Sequence, residues 1–192
     1  MPHYSGSHVV RAVGLGQKVL TQWIDRYLVI PSLKAPGRGA RHGFTLVDVI
    51  RIAIAEKLSR MGLPRQNAAV VCFCSPATEI GADLLSKIET VINSYREEVK
   101  TAGHKRESLL GRQFAQQVYL VIVPKDDVPG KVAKGFHITG RRGFADLYGR
   151  LESDDVAVII NLTKLIKGIM VVLETWQFFP GSKFLYVPMV CQ

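Results

Sequence analysis

Gln17, Lys18, Thr21, Gln22 and Arg26 fall at steps that gather them on one side of a helix. Val19, Leu20, Trp23, Ile24 and Tyr27 share the opposite side. Amide, ammonium and guanidinium groups of this kind reach base edges and phosphate oxygens. A solvated polar face has the same look, so the helix alone does not separate the two readings. The residues that follow it say more. In residues 32–43, SLKAPGRGARHG, Lys34, Arg38 and Arg41 are interleaved with glycine and proline. Such a stretch cannot continue a helix. A two-stranded wing with a glycine turn fits it, its cations set to grip phosphate or enter a minor groove. The plain alternative is a basic surface loop.

The charge is distributed in the same sense. The chain of 192 residues carries +9, and residues 1–67 hold ten Lys/Arg against three acids, a net +7. The remaining residues hold fifteen bases and thirteen acids, a net +2. An excess concentrated in the first third points to a polyanionic partner there, with solubility as the plain alternative.

Other chemistry is poorly signalled. Gly14-Leu15-Gly16 lacks the third glycine and the preceding strand of a dinucleotide fingerprint, and there is no Gly-Lys-Ser/Thr phosphate loop. Cys72-Phe73-Cys74 does not have the two-residue spacing of a structural zinc site, although Cys191 or His104 could join it. Buried free cysteines in an apolar run are the simpler account. The five histidines are scattered, so spacing assembles no nucleophilic triad. Asp126-Asp127 and Asp154-Asp155 suit turns and caps better than a paired-carboxylate site. No enzyme, metal or cofactor is expected.

The elements that must position the polar helix can be read in order. Ser5 or Ser7 can cap a first short helix ending at Val13, and Gly14-Leu15-Gly16 gives a tight turn with its leucine inward. The second helix is expected over residues 17–27, with Tyr27 on its apolar side, and residues 28–30 read as a strand closed by Pro31. Residues 45–61 form the clearest helix. Thr45 is its cap, Asp48 lies near the positive end of its dipole, and Val47, Ile50, Ile54, Leu58 and Met61 mark one face. Gly62 suits a left-handed C′ position and Pro64 stops the helix.

Two short helices, a basic glycine-bearing segment and a long capped helix make the order of a winged helix-turn-helix. Residues 4–70 resemble the MerR-like winged-helix family. Leu20, Trp23, Arg26, Leu28 and Pro31 carry the likeness, with Gly37-Arg38-Gly39, Arg41, Phe44-Thr45, Asp48-Val49 and residues 58–63, LSRMGL. Where the family commonly has a glycine-tyrosine-arginine wing, this chain has Arg41-His42-Gly43-Phe44. The resemblance implies a homodimer on double-stranded DNA. Gln17, Lys18, Thr21 and Gln22 would then read bases, with Arg38, Arg41 and His42 as wing contacts.

Beyond Pro64, residues 65–74 suggest a short helix. A longer one is expected over 80–100, with Leu84, Leu85, Ile88, Val91, Ile92, Tyr95 and Val99 on one side. The resemblance would make this the dimerisation region. Residues 118–123, 136–138 and 154–160 read as strands, and 139–143 as a second basic glycine loop. Asn161 can cap a last helix over 162–176, and an apolar tail follows. The expected fold is mainly α with a smaller α+β part: a winged helix-turn-helix at 1–70, a helical linker or dimerisation region at 71–112, and a small α+β domain at 113–192.

Three odd cysteines, no secretory leader pattern and no apolar run of about 18 residues suggest a soluble cytoplasmic protein. The nearest run, 156–173, is broken by Asn161, Lys164 and Lys167. The function expected is sequence-specific transcriptional regulation, with an effector that the sequence does not identify. An architectural DNA-binding role, excisionase-like or as a small packaging subunit, is the alternative. An enzyme housed in residues 113–192 is a third possibility.

Overall fold

A computed structural model describes residues 3–33, 42–73, 79–102, 117–124, 132–139 and 158–178. It opens with a two-residue strand, β1 (Tyr4–Ser5), which runs straight into helix α1 (Gly6–Val13) with Ser5 as its N-cap. Gly14 then turns left-handed at φ 73°, and the amides of Gly14 and Leu15 both return to the Val10 carbonyl. The turn drives Leu15 into the core, where 6% of it stays exposed. Helix α2 (Gln17–Asp25) leaves that turn at once.

The end of α2 differs from the expected one. The helix stops at Asp25, and Tyr27 takes the left-handed conformation at φ 57°. The Tyr27 amide donates to the Ile24 carbonyl at 2.9 Å and the Leu28 amide to the Trp23 carbonyl at 2.8 Å. This is a Schellman closure with Tyr27 at C′. It throws the Tyr27 ring outward, 84% exposed, instead of onto the apolar side of the helix. Residues 28–30 form no strand. The Val29 amide also returns to the Trp23 carbonyl, and the fold-back buries Val29 while Ile30 faces solvent.

Strand β2 (Gly43–Phe44) pairs antiparallel with β1, setting Tyr4 opposite Phe44 and Ser5 opposite Gly43. It leads into α3 (Leu46–Arg60) through a reciprocal cap. The Asp48 amide donates to Thr45 Oγ1 at 3.2 Å, and the Thr45 amide donates to Asp48 Oδ2 at 2.8 Å. Of the expected stripe on α3, Ile50, Ile54 and Leu58 are fully buried, but Met61 is 45% exposed. Val49, Ile52, Ala53 and Ala55 are buried as well. The helix is therefore not one-faced: α1, β2, α4 (Arg65–Phe73), α5 (Glu79–Ala102) and the last helix, α6 (Leu162–Phe178), all pack around it. Gly62 is left-handed at φ 101°, as its C′ position demands. Pro64 both ends α3 and starts α4, its carbonyl accepting from the amides of Asn67 and Ala68.

The apolar side of α5 is occupied within the same chain. Leu84, Ile88, Val91, Ile92 and Tyr95 are at most 5% exposed, with α6 packed along that side. Tyr95 Oη donates to Glu174 Oε2 at 3.2 Å and Lys167 Nζ lies 5.9 Å from the Tyr95 ring centre, which fastens the two helices at their polar edge. A three-stranded antiparallel sheet, in the order β4 (Val132–Thr139), β3 (Val118–Pro124), β5 (Val158–Asn161), completes the fold. β4 is longer than the expected 136–138, because pairing in register with β3 carries the strand through Lys134 and Gly135. Asn161 Oδ1 accepts from the Lys164 amide at 2.9 Å and caps α6.

The described part is thus mainly helical with a smaller sheet component. One buried cluster runs from Val9 through α3 and α5 to Leu173. Among the described residues no helix is long and apolar enough to cross a membrane. Residues 140–157 and the apolar tail beyond 178 lie outside the described residues, and so do Asp126 and Asp127.

Candidate nucleic-acid interface

The two sides of α2 are sharply divided. Leu20 and Trp23 are 1% and 2% exposed, anchored on the core. Gln17, Lys18, Thr21, Gln22, Asp25 and Arg26 are all exposed. The polar residues expected on one side therefore do share a solvent-facing arc. Thr21 Oγ1 donates to the Gln17 carbonyl at 3.1 Å, one turn back along the helix. Asp25 is the one acid of this arc.

A shallow cleft of about 420 Å³ runs beside α2. Leu20 and Phe44 form its floor, and Ser5, Ser7, Gln17, Thr21, Asp25 and His42 stand around it. The fold thus brings His42 to Gln17 and Thr21, although 21 and 42 are far apart in the chain. Lys34, Arg38 and Arg41 lie outside the described residues. The points where their segment leaves and rejoins the fold are fixed. Leu33 and Gly43 exchange both backbone hydrogen bonds at 3.0 Å, an antiparallel bridge that closes the segment at its base.

Several residues that hold this surface carry no obvious sequence signal. Asp48 is 4% exposed, and its Oδ2 accepts from Ser32 Oγ at 2.6 Å and from the Ser32 amide at 3.3 Å, besides the Thr45 amide. One carboxylate thus ties both ends of the basic segment to the start of α3. Only its capping role is visible from the spacing of Thr45 and Asp48. Arg60, at the other end of α3, donates from Nη2 to the Gly14 carbonyl at 3.0 Å and so holds the α1–α2 turn. His8 completes the α1 cap, its Nδ1 accepting from the Ser5 amide at 3.0 Å and lying 2.8 Å from Ser5 Oγ. Burial, and then the Arg11 charge, lower the His8 pKa below the usual histidine value.

Compared with known protein-family models and with curated proteins, the chain matches none.

Of the residues weighed for other chemistry, Cys72 and Phe73 lie among the described ones. Cys72 is buried, and that burial pushes its thiol pKa far up. Its carbonyl accepts from Arg51 Nε, and the Arg51 guanidinium lies 4.5 Å from the centre of the Phe73 ring. Cys74, His104 and Cys191 lie outside the described residues. Among the described residues no group of three or more His, Cys, Asp or Glu could hold a metal ion.

Proposed function

We propose that this protein is a sequence-specific, DNA-binding transcriptional regulator of the winged helix-turn-helix, MerR-like type, acting as a homodimer on double-stranded DNA in the cytoplasm. The observation that carries the reading is the division of α2. One side is fixed on the core by Leu20 and Trp23, and the other offers Gln17, Lys18, Thr21, Gln22 and Arg26 to solvent. A helix held this way presents base-reading amides without having to unfold or shift. The net +7 of residues 1–67 supplies attraction for a phosphate backbone. The cations at 34, 38 and 41 belong to a segment pinned at Leu33 and Gly43, which suits a wing. The homodimer rests on the resemblance alone, and it would use a surface other than the apolar side of α5, which is already buried within the chain.

The test is a salt-titrated binding assay on genomic fragments, including the protein's own upstream region. Wild type is compared with the triple variant Lys18→Ala, Arg38→Ala, Arg41→Ala. Binding that prefers particular fragments, weakens steeply with salt and collapses in the variant supports the proposal. Each phosphate contact removed should reduce the slope of log affinity against log salt by about 1. Absence of binding by wild type to any duplex would overturn it.

A further inference from the structure

Tyr27 combines two features that folding alone disfavours. It is the one non-glycine residue with positive φ among the described residues, at φ 57°. It is also the most exposed of the described large hydrophobic residues, at 84%. A C′ position at a Schellman closure suits glycine, because a Cβ in the left-handed region crowds the following carbonyl. Glycine would relieve that strain, and it would also remove a large ring from water. Neither the helix closure nor the core needs the side chain: the closing hydrogen bonds are made by backbone groups of Ile24, Trp23, Tyr27 and Leu28. Backbone strain retained beside an exposed aromatic ring points to a contact made outside the chain.

The place of Tyr27 says what that contact is. It directly follows Arg26, the exposed residue at the C-terminal end of α2. In the sequence it falls between the polar residues of α2 and the basic stretch from 34 to 41. The sequence from 17 to 41 is strongly basic, with Asp25 as its one acid. We infer that Tyr27 is a DNA-contact residue, its ring laid against the deoxyribose–phosphate backbone at the end of α2 and its hydroxyl donating to a phosphate oxygen. An amphipathic ring with few rotatable bonds suits this task, because little conformational entropy is lost when it is fixed. The inference rests on the DNA-binding reading of α2, and it adds a backbone anchor that explains why the helix ends on a strained tyrosine.

The experiment compares wild type, Tyr27→Gly and Tyr27→Phe in thermal unfolding and in binding to a duplex that wild type retains. Tyr27→Gly should melt a few degrees higher than wild type and yet bind the duplex roughly tenfold more weakly, the loss expected for a charge-assisted hydrogen bond with its packing. Tyr27→Phe should melt as wild type does and bind with intermediate affinity. Equal affinity of Tyr27→Gly and wild type would overturn the inference while leaving the DNA-binding reading intact. So would a Tyr27→Gly variant that keeps its affinity but loses self-association, since the ring would then serve a second copy. A wild type that binds no duplex would instead remove the reading beneath it.

Discussion

Arg60 Nη2 reaches back from the end of α3 to the Gly14 carbonyl, 3.0 Å away, and holds the turn from which α2 departs. The same side chain bonds Glu56 Oε1 through Nε at 2.8 Å, one turn earlier on α3. Glu56 thus aims a guanidinium whose useful end is the turn carbonyl. The Arg60 side chain is 59% exposed, so solvent screens the ion pair and its part in stability is at most about 1 kcal/mol.

On the proposed DNA-binding reading, Arg60→Ala should therefore change binding more than folding. The melting temperature should fall slightly, while affinity for the preferred duplex should drop several-fold because the angle of α2 is no longer held. Arg60→Lys should not rescue it, since one ammonium cannot take the place of the planar fork that serves both partners. Isothermal binding measurements beside thermal melts check this. Equal fractional losses in both would show that Arg60 acts on stability alone.

Asp48 should be far more costly to remove. Its Oδ2 gathers three donors, the Ser32 amide and hydroxyl and the Thr45 amide, at a site only 4% exposed. Asp48→Ala leaves these donors without their acceptor and deletes half of the reciprocal cap of α3. A loss of about 3 kcal/mol is expected in denaturant unfolding, the sum of a cap and a charge-assisted bond. Ser32→Ala removes only one donor and should cost about 1 kcal/mol.

The contrast between these two residues also marks what the sequence reveals. Thr45 and Asp48, Asn161 and Gly62 are local signals, legible because a cap is made by neighbours in the chain. The exposed arc of α2 is legible for a similar reason, its polar and apolar residues separating at helical steps. Arg60 and Gly14 are 46 residues apart, and nothing in either neighbourhood announces the other. The end of α2 was hidden because Tyr27 continues the apolar period, and only the left-handed turn breaks it. The single stripe expected on α3 underestimates a helix surrounded by partners as distant as α6. Likewise, periodicity places the apolar side of α5 correctly but does not say that α6 covers it.

Gly43 should accept a side chain only at a cost. A Cβ there would stand 3.0 Å from Leu33 Cδ1 and 3.1 Å from Leu33 Cβ. The second atom is fixed to the backbone, so a rotamer change alone does not relieve the crowding, and the Leu33–Gly43 bridge has to give by a few tenths of an ångström. Gly43→Ala should lower stability by about 1–2 kcal/mol. If the segment it closes bears phosphate contacts, the salt slope of DNA binding should also flatten. Gly168, where a Cβ meets nothing within 4 Å, provides the control, and Gly168→Ala should leave both properties near wild type or slightly improved.

His8 adds a pH dependence. Its Nδ1 accepts from the Ser5 amide, which requires that nitrogen to be unprotonated. The Tyr4 ring stands edge-on 6.2 Å away, and burial followed by the Arg11 charge depresses the His8 pKa. A cation here would also face the positive end of α1. The unfolded chain keeps a histidine pKa near about 6.5, so below that value it binds a proton that the folded chain resists. The stability contributed by neutral His8 is complete above that value, is lost as the pH falls through it, and levels off below the folded pKa. Melting temperatures taken from roughly pH 7 down to pH 5 should therefore fall more for wild type than for His8→Gln. Glutamine can make the same reach to the Ser5 amide without titrating. Parallel curves for the two proteins would place the acid sensitivity elsewhere.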